Sequence, residues 1–391
     1  MQNSQSSEIK KILIPTPAYI VYEDRVRKNL ELLKRIGEES DIKIIMALKA
    51  NALWKTFPIV KEYFSSSTAS SINEMKLSSD YLGKDIHAYC PVYTGETFPQ
   101  FLDGCTHITF NSLSQFERYY PLAQKFENET GKHVSLGLRV NPKCSVIEHE
   151  IYNPAVPGSR FGVSIDKMPE LLPHGLEGLH FHSLCESGAE DLQRVLEAFE
   201  KDYGKYLDTV KWVNFGGGHL ITREGYNVDL FKDIIREFKK RHPHLEIIIE
   251  PGSAFMWQTG DLKVKVLDIV EDEGIKTAIF DASFACHMPD CLEMPYKPKI
   301  AEALPEEDES GYEYRLGGNT CLTGDYVGTW KFEKPLKEGD ILTLLDMNHY
   351  TTVKTNMFNG VSHPSIWLIN SSGEPVLLKE FKYEDYRDRM S

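Results

Sequence analysis

"IKIIMALKAN", residues 42–51, is the stretch on which the fold turns. Seven residues, six of them apolar, run into Lys49 and stop, which is the signature of a short strand with a polar end. The same signature recurs along the chain, in "SSSTA" (65–69), "IHAYC" (86–90), "HITFN" (107–111), "VSLGLRV" (134–140), "LEGLHFH" (176–182), "VKWVNF" (210–215) and "LEIIIE" (245–250). Amphipathic segments such as "DLQRVLEAFEKDYGKYL" and "DLFKDIIREFKKRH" lie between them. Strands alternating with helices imply a parallel sheet, and eight such units imply a closed (β/α)8 barrel of the α/β class. The serine-rich second strand is the weakest of the eight.

Beyond about residue 255 the pattern changes. "DLKVKVLDIVEDEG", "TAIFDASF", "YEYRLGG", "GDILTLLDM" and "SIWLIN" read as strands separated by turns, with little helix, and predict an antiparallel β-domain. The expected division is an N-terminal segment, residues 1–20, joining the β-domain; a barrel, 21–255; and a C-terminal β-domain, 256–391. The acidic "PEEDESG" (305–311) reads as a solvated loop.

The chain has 391 residues, 41% hydrophobic and 26% charged, with a net charge of −14. That composition is globular, and the charge disfavours nucleic acid and anionic membrane surfaces while suiting a cationic substrate. The opening "MQNSQSSEIKKILIP" has no apolar signal core, and no apolar run is long enough to span a bilayer. Seven scattered cysteines suggest reduced thiols and a cytoplasmic location. Cys286, His287 and Cys291 invite a metal reading, but no second Cys/His pair at finger-like spacing supports it, so no metal is expected.

In such a barrel, chemistry gathers where the strands end. Those ends carry Lys49, Arg139, His182, the run Gly216, Gly217 and Gly218, and Glu250. Taken singly, each has an ordinary explanation: a solvated strand end, a core histidine, a tight turn, a surface carboxylate. Taken together they match the needs of pyridoxal 5'-phosphate. An amine in a partly apolar pocket can bond to its aldehyde, glycines let backbone N–H groups approach its phosphate, an imidazole offers a flat face, and a carboxylate can pair with its pyridine nitrogen.

On these residues the sequence resembles the fold-type III pyridoxal-phosphate decarboxylases, which include ornithine, diaminopimelate and biosynthetic arginine decarboxylases, with alanine racemase more distant. "ALKAN" matches the motif of the cofactor-bonding lysine, Lys49. "HSLCES" matches the motif of the ring-stacking histidine, His182. Glu250, Pro251 and Gly252 match "E-P-G", the tyrosine of "NHYTT" is Tyr350, and "CLTGD" matches the family's "C-(D/E)-x-x-D". The resemblance covers nearly the whole chain and implies an alanine racemase-like fold. It implies Cys321 as a proton donor supplied by the neighbouring subunit of a homodimer, Asp325 as a partner in the same loop, and Arg139 as a supporting residue near His182.

The departures narrow the resemblance. Ser253 stands where an arginine usually contacts phosphate, the "G-S" after the histidine is lost, and Thr68 replaces an aspartate. Phosphate binding is therefore expected from the glycines, Ser253 and Tyr350. Leu322 replaces an acid that recognises the distal amine in ornithine and diaminopimelate decarboxylases. With "DASFACHMPDCLEMPY" (281–296), it resembles the carboxynorspermidine/carboxyspermidine branch of the family. That branch implies a polyamine-carboxylate substrate and a place in polyamine biosynthesis. Asp290 is the first candidate to hold the cationic tail, with Asp281, His287, Glu293 and Asp325 beside it. A diaminopimelate or other basic amino acid decarboxylase is the alternative. A racemase is disfavoured by Glu250, and a non-catalytic binding homologue by the presence of both Lys49 and Cys321.

Overall fold

The computed structural model of the protein describes residues 14–147 and 149–391. Most of the expected N-terminal segment, residues 1–13, lies outside the described residues. Two compact units are present: one runs up to Asp24 and includes Gln258–Asn348 and Lys354–Ser391, and the other comprises Arg25–Trp257 and His349–Val353.

The chain enters through β1 (Ala18–Tyr22), a strand of the first unit, followed by α1 (Glu23–Ser40). The second unit is the barrel. Its strands are β2 (Lys43–Ile44), β3 (Met46–Ala47), β4 (Ser66–Ala69), β5 (Asp85–Tyr89), β6 (His107–Phe110), β7 (Ser135–Arg139), β8 (Gly178–His180), β9 (Trp212–Asn214) and β10 (Glu246–Ile249). All pair in parallel, in the order β2-β10-β9-β8-β7-β6-β5-β4-β3. β2 and β3 are halves of one pass interrupted at Ile45, whose N–H donates to Ile249 O at 3.0 Å. Eight passes of the chain therefore close a ring, as the eight apolar runs predict.

Helices α2 (Phe57–Lys61), α3 (Ile72–Tyr81), α4 (Phe98–Gly104), α5 (Leu113–Thr130), α6 (Ala189–Tyr203) and α7 (Val228–Arg241) separate the strands. Three begin on side-chain caps: Ser71, Ser112 and Asn227 accept from Glu74 N–H, Gln115 N–H and Leu230 N–H, satisfying amides that the first turn leaves unpaired. α7 buries Phe231, Ile234, Ile235 and Phe238, the one-face spacing of a helix covering a sheet. Inside the barrel Trp212 packs with Ile45 and Ile248. Glycines make its room: a Cβ at Gly137 or Gly178 would lie 2.2 or 2.0 Å from the indole. After β10, Ser253–Met256 forms the single turn α8.

The first unit continues with β11 (Gly260–Asp272), β12 (Ile275–Phe280), α9 (Phe284–His287), α10 (Pro289–Glu293), β13 (Tyr312–Gly317), β14 (Tyr326–Phe332), β15 (Ile341–Leu344), β16 (Ser365–Ile369), β17 (Pro375–Lys379) and α11 (Tyr383–Met390). The sheet order is β14-β13-β12-β11-β1-β16-β17, with β15 also on β11. The sheet is mixed, not purely antiparallel: β1 pairs with β16 and β12 with β13 in parallel. The long 281–311 connection permits the second of these, because parallel neighbours need a crossover that a tight hairpin cannot make. Its core packs Tyr19, Val264, Phe280, Leu316, Trp330 and Phe332 among others.

Candidate active site

Lys49 lies just past the end of β3, in a turn where Ala50 N–H donates to Ala47 O at 3.2 Å. Its side chain is reached by solvent, yet protein rings it closely enough that desolvation depresses the amine below its ordinary range. Glu250 opposes that shift and Arg139 adds to it; Cys185 and Glu74 also act on the amine. Glu74 accepts from Ser70 N–H at 2.7 Å, and burial raises its carboxyl. Neither Cys185 nor Glu74 was singled out as a site residue from the sequence. Glu74 lies within "ASSINE", the flank of the position taken by Thr68, and that flank was the available signal.

Glu250 follows β10 and is 7% exposed. Its Oε1 accepts from Asn214 Nδ2 at 2.7 Å, its N–H donates to Gly216 O at 2.8 Å, and His180 Nε2 lies 3.7 Å from Oε2. His182 accepts the Gly217 N–H on Nδ1 at 2.9 Å, which leaves Nε2 as the protonated nitrogen of a neutral ring. Burial, with Lys49 and Arg139 next to it, pushes His182 well below the ordinary imidazole range, so the ring is a neutral plane. Arg139, 5% exposed, donates from Nη2 to His182 O at 3.2 Å and lies 4.6 Å from the rings of Tyr89 and Phe161.

The glycine run is not the open cradle of three N–H groups expected from the sequence. Gly216 N–H donates to Asn214 Oδ1 at 2.8 Å and Gly217 N–H to His182. Among the described residues, Gly218 N–H has no protein acceptor. Gly216 and Gly218 have φ of +71° and +89°, and a Cβ at either would meet backbone at 2.5 or 2.2 Å, so both positions require glycine. Nearby, a Cβ on Gly252 would lie 2.6 Å from Ala50 Cβ and 3.6 Å from the Tyr350 hydroxyl. Tyr350, itself at φ +54°, donates its N–H to Ala50 O at 2.7 Å and so is tied to the turn that carries Lys49. Ser253 Oγ donates to Glu186 Oε1 at 3.4 Å.

In the sheet unit, Cys321 is exposed in a bend just before the Leu322–Asp325 turn, and its N–H donates to Asn359 Oδ1 at 2.7 Å. Leu322 beside it is 44% exposed. Asp290 and Glu293 share the Lys354 ammonium, at 2.6 Å for Asp290. Asp281 accepts Lys265 N–H at 2.8 Å.

Two sequence-based assignments need correction. His287 is 0% exposed, its Nδ1 accepts from Ser283 N–H at 3.1 Å, and burial pushes it down to about 3, so it is a core residue and cannot touch a substrate. Asp325 is 4% exposed. It accepts from Ser283 Oγ (2.8 Å), Thr320 Oγ1 (2.6 Å) and Ala285 N–H (3.0 Å), so its oxygens hold the loop rather than a ligand. Cys286 and Cys291 are buried, the latter pushed up to about 12 by burial, a poor state for a metal-binding thiolate.

At the opposite, N-terminal end of the barrel strands, Asp85, His87 and His107 gather their ligand atoms within 4.8 Å. The two imidazoles stack at 3.9 Å and 12°, so their lone pairs run side by side instead of converging, and Lys43 Nζ pairs with Asp85 at 2.9 Å. That arrangement suits a packing cluster better than a cation site.

The barrel-mouth geometry defines a site for an aldehyde-bearing, phosphorylated pyridine cofactor, and the chain belongs to the pyridoxal-dependent decarboxylases: residues 20–348 match the model described as pyridoxal-dependent decarboxylase, C-terminal sheet domain. It is 43% identical over 378 residues to a carboxyaminopropylagmatine decarboxylase of Synechocystis sp., covering 96% of both chains. It is 40% identical to a carboxynorspermidine/carboxyspermidine decarboxylase of Campylobacter jejuni, covering 95% of this chain and 98% of that one. A crystal structure of the Campylobacter jejuni carboxynorspermidine decarboxylase complexed with norspermidine aligns at a TM-score of 0.86 and 39% identity, over 96% of this chain and 100% of that one. The protein is thus a pyridoxal-phosphate-dependent decarboxylase with an alanine racemase-like fold.

The residues present fit that cofactor. The depressed amine of Lys49 is a usable nucleophile for the aldehyde, the Gly218 N–H has no protein acceptor among the described residues, and the neutral plane of His182 stands next to the buried Glu250 carboxylate. Among the described residues, no helix is long and apolar enough to cross a membrane.

Proposed function

We propose that this chain decarboxylates carboxynorspermidine and carboxyspermidine, releasing norspermidine and spermidine. The observation that carries the reading is the identity of the two relatives above. Both are matched over nine-tenths or more of the chain, and both are named for a carboxylated aminopropyl group on a cationic chain. The exposed Leu322, in place of an acid, supports it against diaminopimelate. The 43% identity to the Synechocystis protein favours a second reading, with carboxyaminopropylagmatine and its guanidinium tail as the substrate.

Bound pyridoxal phosphate supplies the electron sink for the charge left at Cα when CO2 departs. Lys49 would bond the cofactor aldehyde and is the amine a substrate amine would have to displace. Glu250 would pair with the ring nitrogen, and His182 would offer its flat face to the ring. Gly218, Ser253 and Tyr350 would hold the phosphate. Cys321 of the partner subunit, in a homodimer, returns a proton to Cα. Asp290 and Glu293 receive the tail; the Lys354 ammonium already seated on them is the kind of charge they would accept. The seven cysteines are free thiols, which supports a cytoplasmic location.

The test is CO2 release from carboxynorspermidine, carboxyspermidine, carboxyaminopropylagmatine and meso-diaminopimelate at equal concentration. Highest kcat/KM on either of the first two supports the proposal, on the third supports the second reading, and on diaminopimelate overturns both.

A further inference from the structure

We propose that Asn214 is a positioning residue that fixes the spacing between the supports of the cofactor's phosphate and of its ring nitrogen. Asn214 ends β9 and is 2% exposed. Its amide makes two different bonds. Nδ2 donates to Glu250 Oε1 at 2.7 Å, and Oδ1 accepts the Gly216 N–H at 2.8 Å. The amide has one workable orientation here, since a carboxylate offers no donor and an N–H offers no acceptor.

The link is reinforced on both sides. Glu250 N–H donates to Gly216 O at 2.8 Å, so Gly216 and Glu250 are tied once through backbone and once through Asn214. Gly217 N–H then donates to His182 Nδ1 at 2.9 Å. One continuous link therefore runs Glu250, Asn214, Gly216, Gly217, His182, hydrogen-bonded at each step except the Gly216–Gly217 peptide bond. It joins the carboxylate for the ring nitrogen, the turn that leads to the Gly218 N–H, and the imidazole plane. With Gly216 and Gly217 N–H committed to this frame, the glycine turn acts first as a spacer and only through Gly218 as a phosphate donor.

Chemistry makes the role separable. Aspartate at 214 still accepts from Gly216 and keeps the turn, but it removes the donor from Glu250 and sets a second buried carboxylate against it, which favours protonation of one of the two. Alanine loses both bonds. The proposal rests on the assignment of Glu250 to the ring nitrogen, so Glu250→Gln is measured in parallel.

The experiment measures kcat, KM, melting temperature and the affinity for pyridoxamine 5'-phosphate in Asn214→Asp, Asn214→Ala and Glu250→Gln. This ligand has the ring and the phosphate but no aldehyde, so Lys49 adds nothing covalent to its binding. The expected result for Asn214→Asp is a loss in kcat of about tenfold to a hundredfold, the scale on which partners of a binding residue matter. Its KM should stay within about twofold of the parent, a span small beside one 1.4 kcal/mol decade. Asn214→Ala should in addition weaken pyridoxamine 5'-phosphate binding, because the turn loses its tie. Parent-like kcat and affinity in both Asn214 variants, or losses that merely follow the unfolded fraction, overturn the inference. If Glu250→Gln is impaired while Asn214→Asp is not, this inference alone fails. If Glu250→Gln is itself parent-like, the assignment of Glu250 fails first.

Discussion

Asp325 offers the sharpest separation of a holding residue from a binding one. Its carboxylate is 4% exposed and takes two hydroxyl donors, at 2.8 and 2.6 Å, and two N–H donors, Ala285 at 3.0 Å and Thr320 at 3.4 Å. The bonds join β14's start to the β12–α9 connection and to the turn that presents Cys321. Packing is close on the other side as well, since a Cβ at Gly318 would lie 2.2 Å from Oδ2. Removing the carboxylate strands the buried Ser283 hydroxyl and three half-buried donors. Each charge-assisted bond is worth about 1.5–3 kcal/mol, and hydroxyls recover part of the loss by turning to other acceptors. Asp325→Ala should therefore cost about 3–5 kcal/mol. Asp325→Asn keeps the shape and one oxygen and should cost about 1–2 kcal/mol. At about 2–4 °C per kcal/mol, the alanine variant melts roughly 10 °C lower and the asparagine variant a few degrees lower. The assay is thermal melting of both variants next to steady-state kinetics on the preferred substrate. kcat should fall as the Cys321 turn loosens, with KM little changed. A melting temperature within about 1 °C of the parent, with KM raised tenfold or more, would mean that Asp325 binds the substrate tail and would refute this assignment, since a tenfold change needs about 1.4 kcal/mol of lost binding.

Buried imidazoles should make the protein acid-labile. Burial holds His107 and His287 down at about 3 and His219 at about 4, against about 6.5 when unfolded. Below pH 6.5 the unfolded chain binds protons that the folded chain refuses, so stability is full above that pH and declines toward pH 4. At pH 5 each histidine costs about 2 kcal/mol, and denaturant midpoints at pH 7 and 5 that coincide would contradict the assignment. Glu250→Gln should lower kcat about a hundredfold, the scale of losing one preorganised electrostatic partner, with CO2 release as the readout. Leu322→Asp places a charge on an exposed tip and should lower kcat/KM on the long triamine by a few fold, about 1 kcal/mol, relative to diaminopimelate; an unchanged ratio would remove position 322 from substrate choice.

Much of this was legible in the sequence because it depends on short-range pattern. All the barrel passes but the serine-rich second are mostly apolar runs, and their polar ends, Lys49, Arg139, His182 and Glu250, gather because the strands are parallel. The parallel pairs in the sheet unit were not legible, since register between distant strands leaves no local mark. Strand β14, "YVGTWKF", is interrupted by a glycine, and β17 is a short edge strand; neither stands out in pattern. Burial was the other blind spot. His287 and Asp325 sit in a segment and a motif suited to binding, and only packing reveals that their polar atoms face inward. Asn214 was missed because an asparagine in "VKWVNF" looks like a strand end. Its one signal is alternation, which places it on the same face as Trp212, inside the barrel.

The central claim, that Lys49 is the covalent anchor of a pyridoxal-phosphate decarboxylase, is tested most directly by borohydride reduction of the purified holoenzyme followed by peptide mass analysis. The account predicts a pyridoxyl-phosphate mass on the peptide containing Lys49, together with loss of the cofactor's absorbance band in Lys49→Ala. A label on another lysine, or no cofactor band in the parent protein with pyridoxal phosphate in excess, would contradict it.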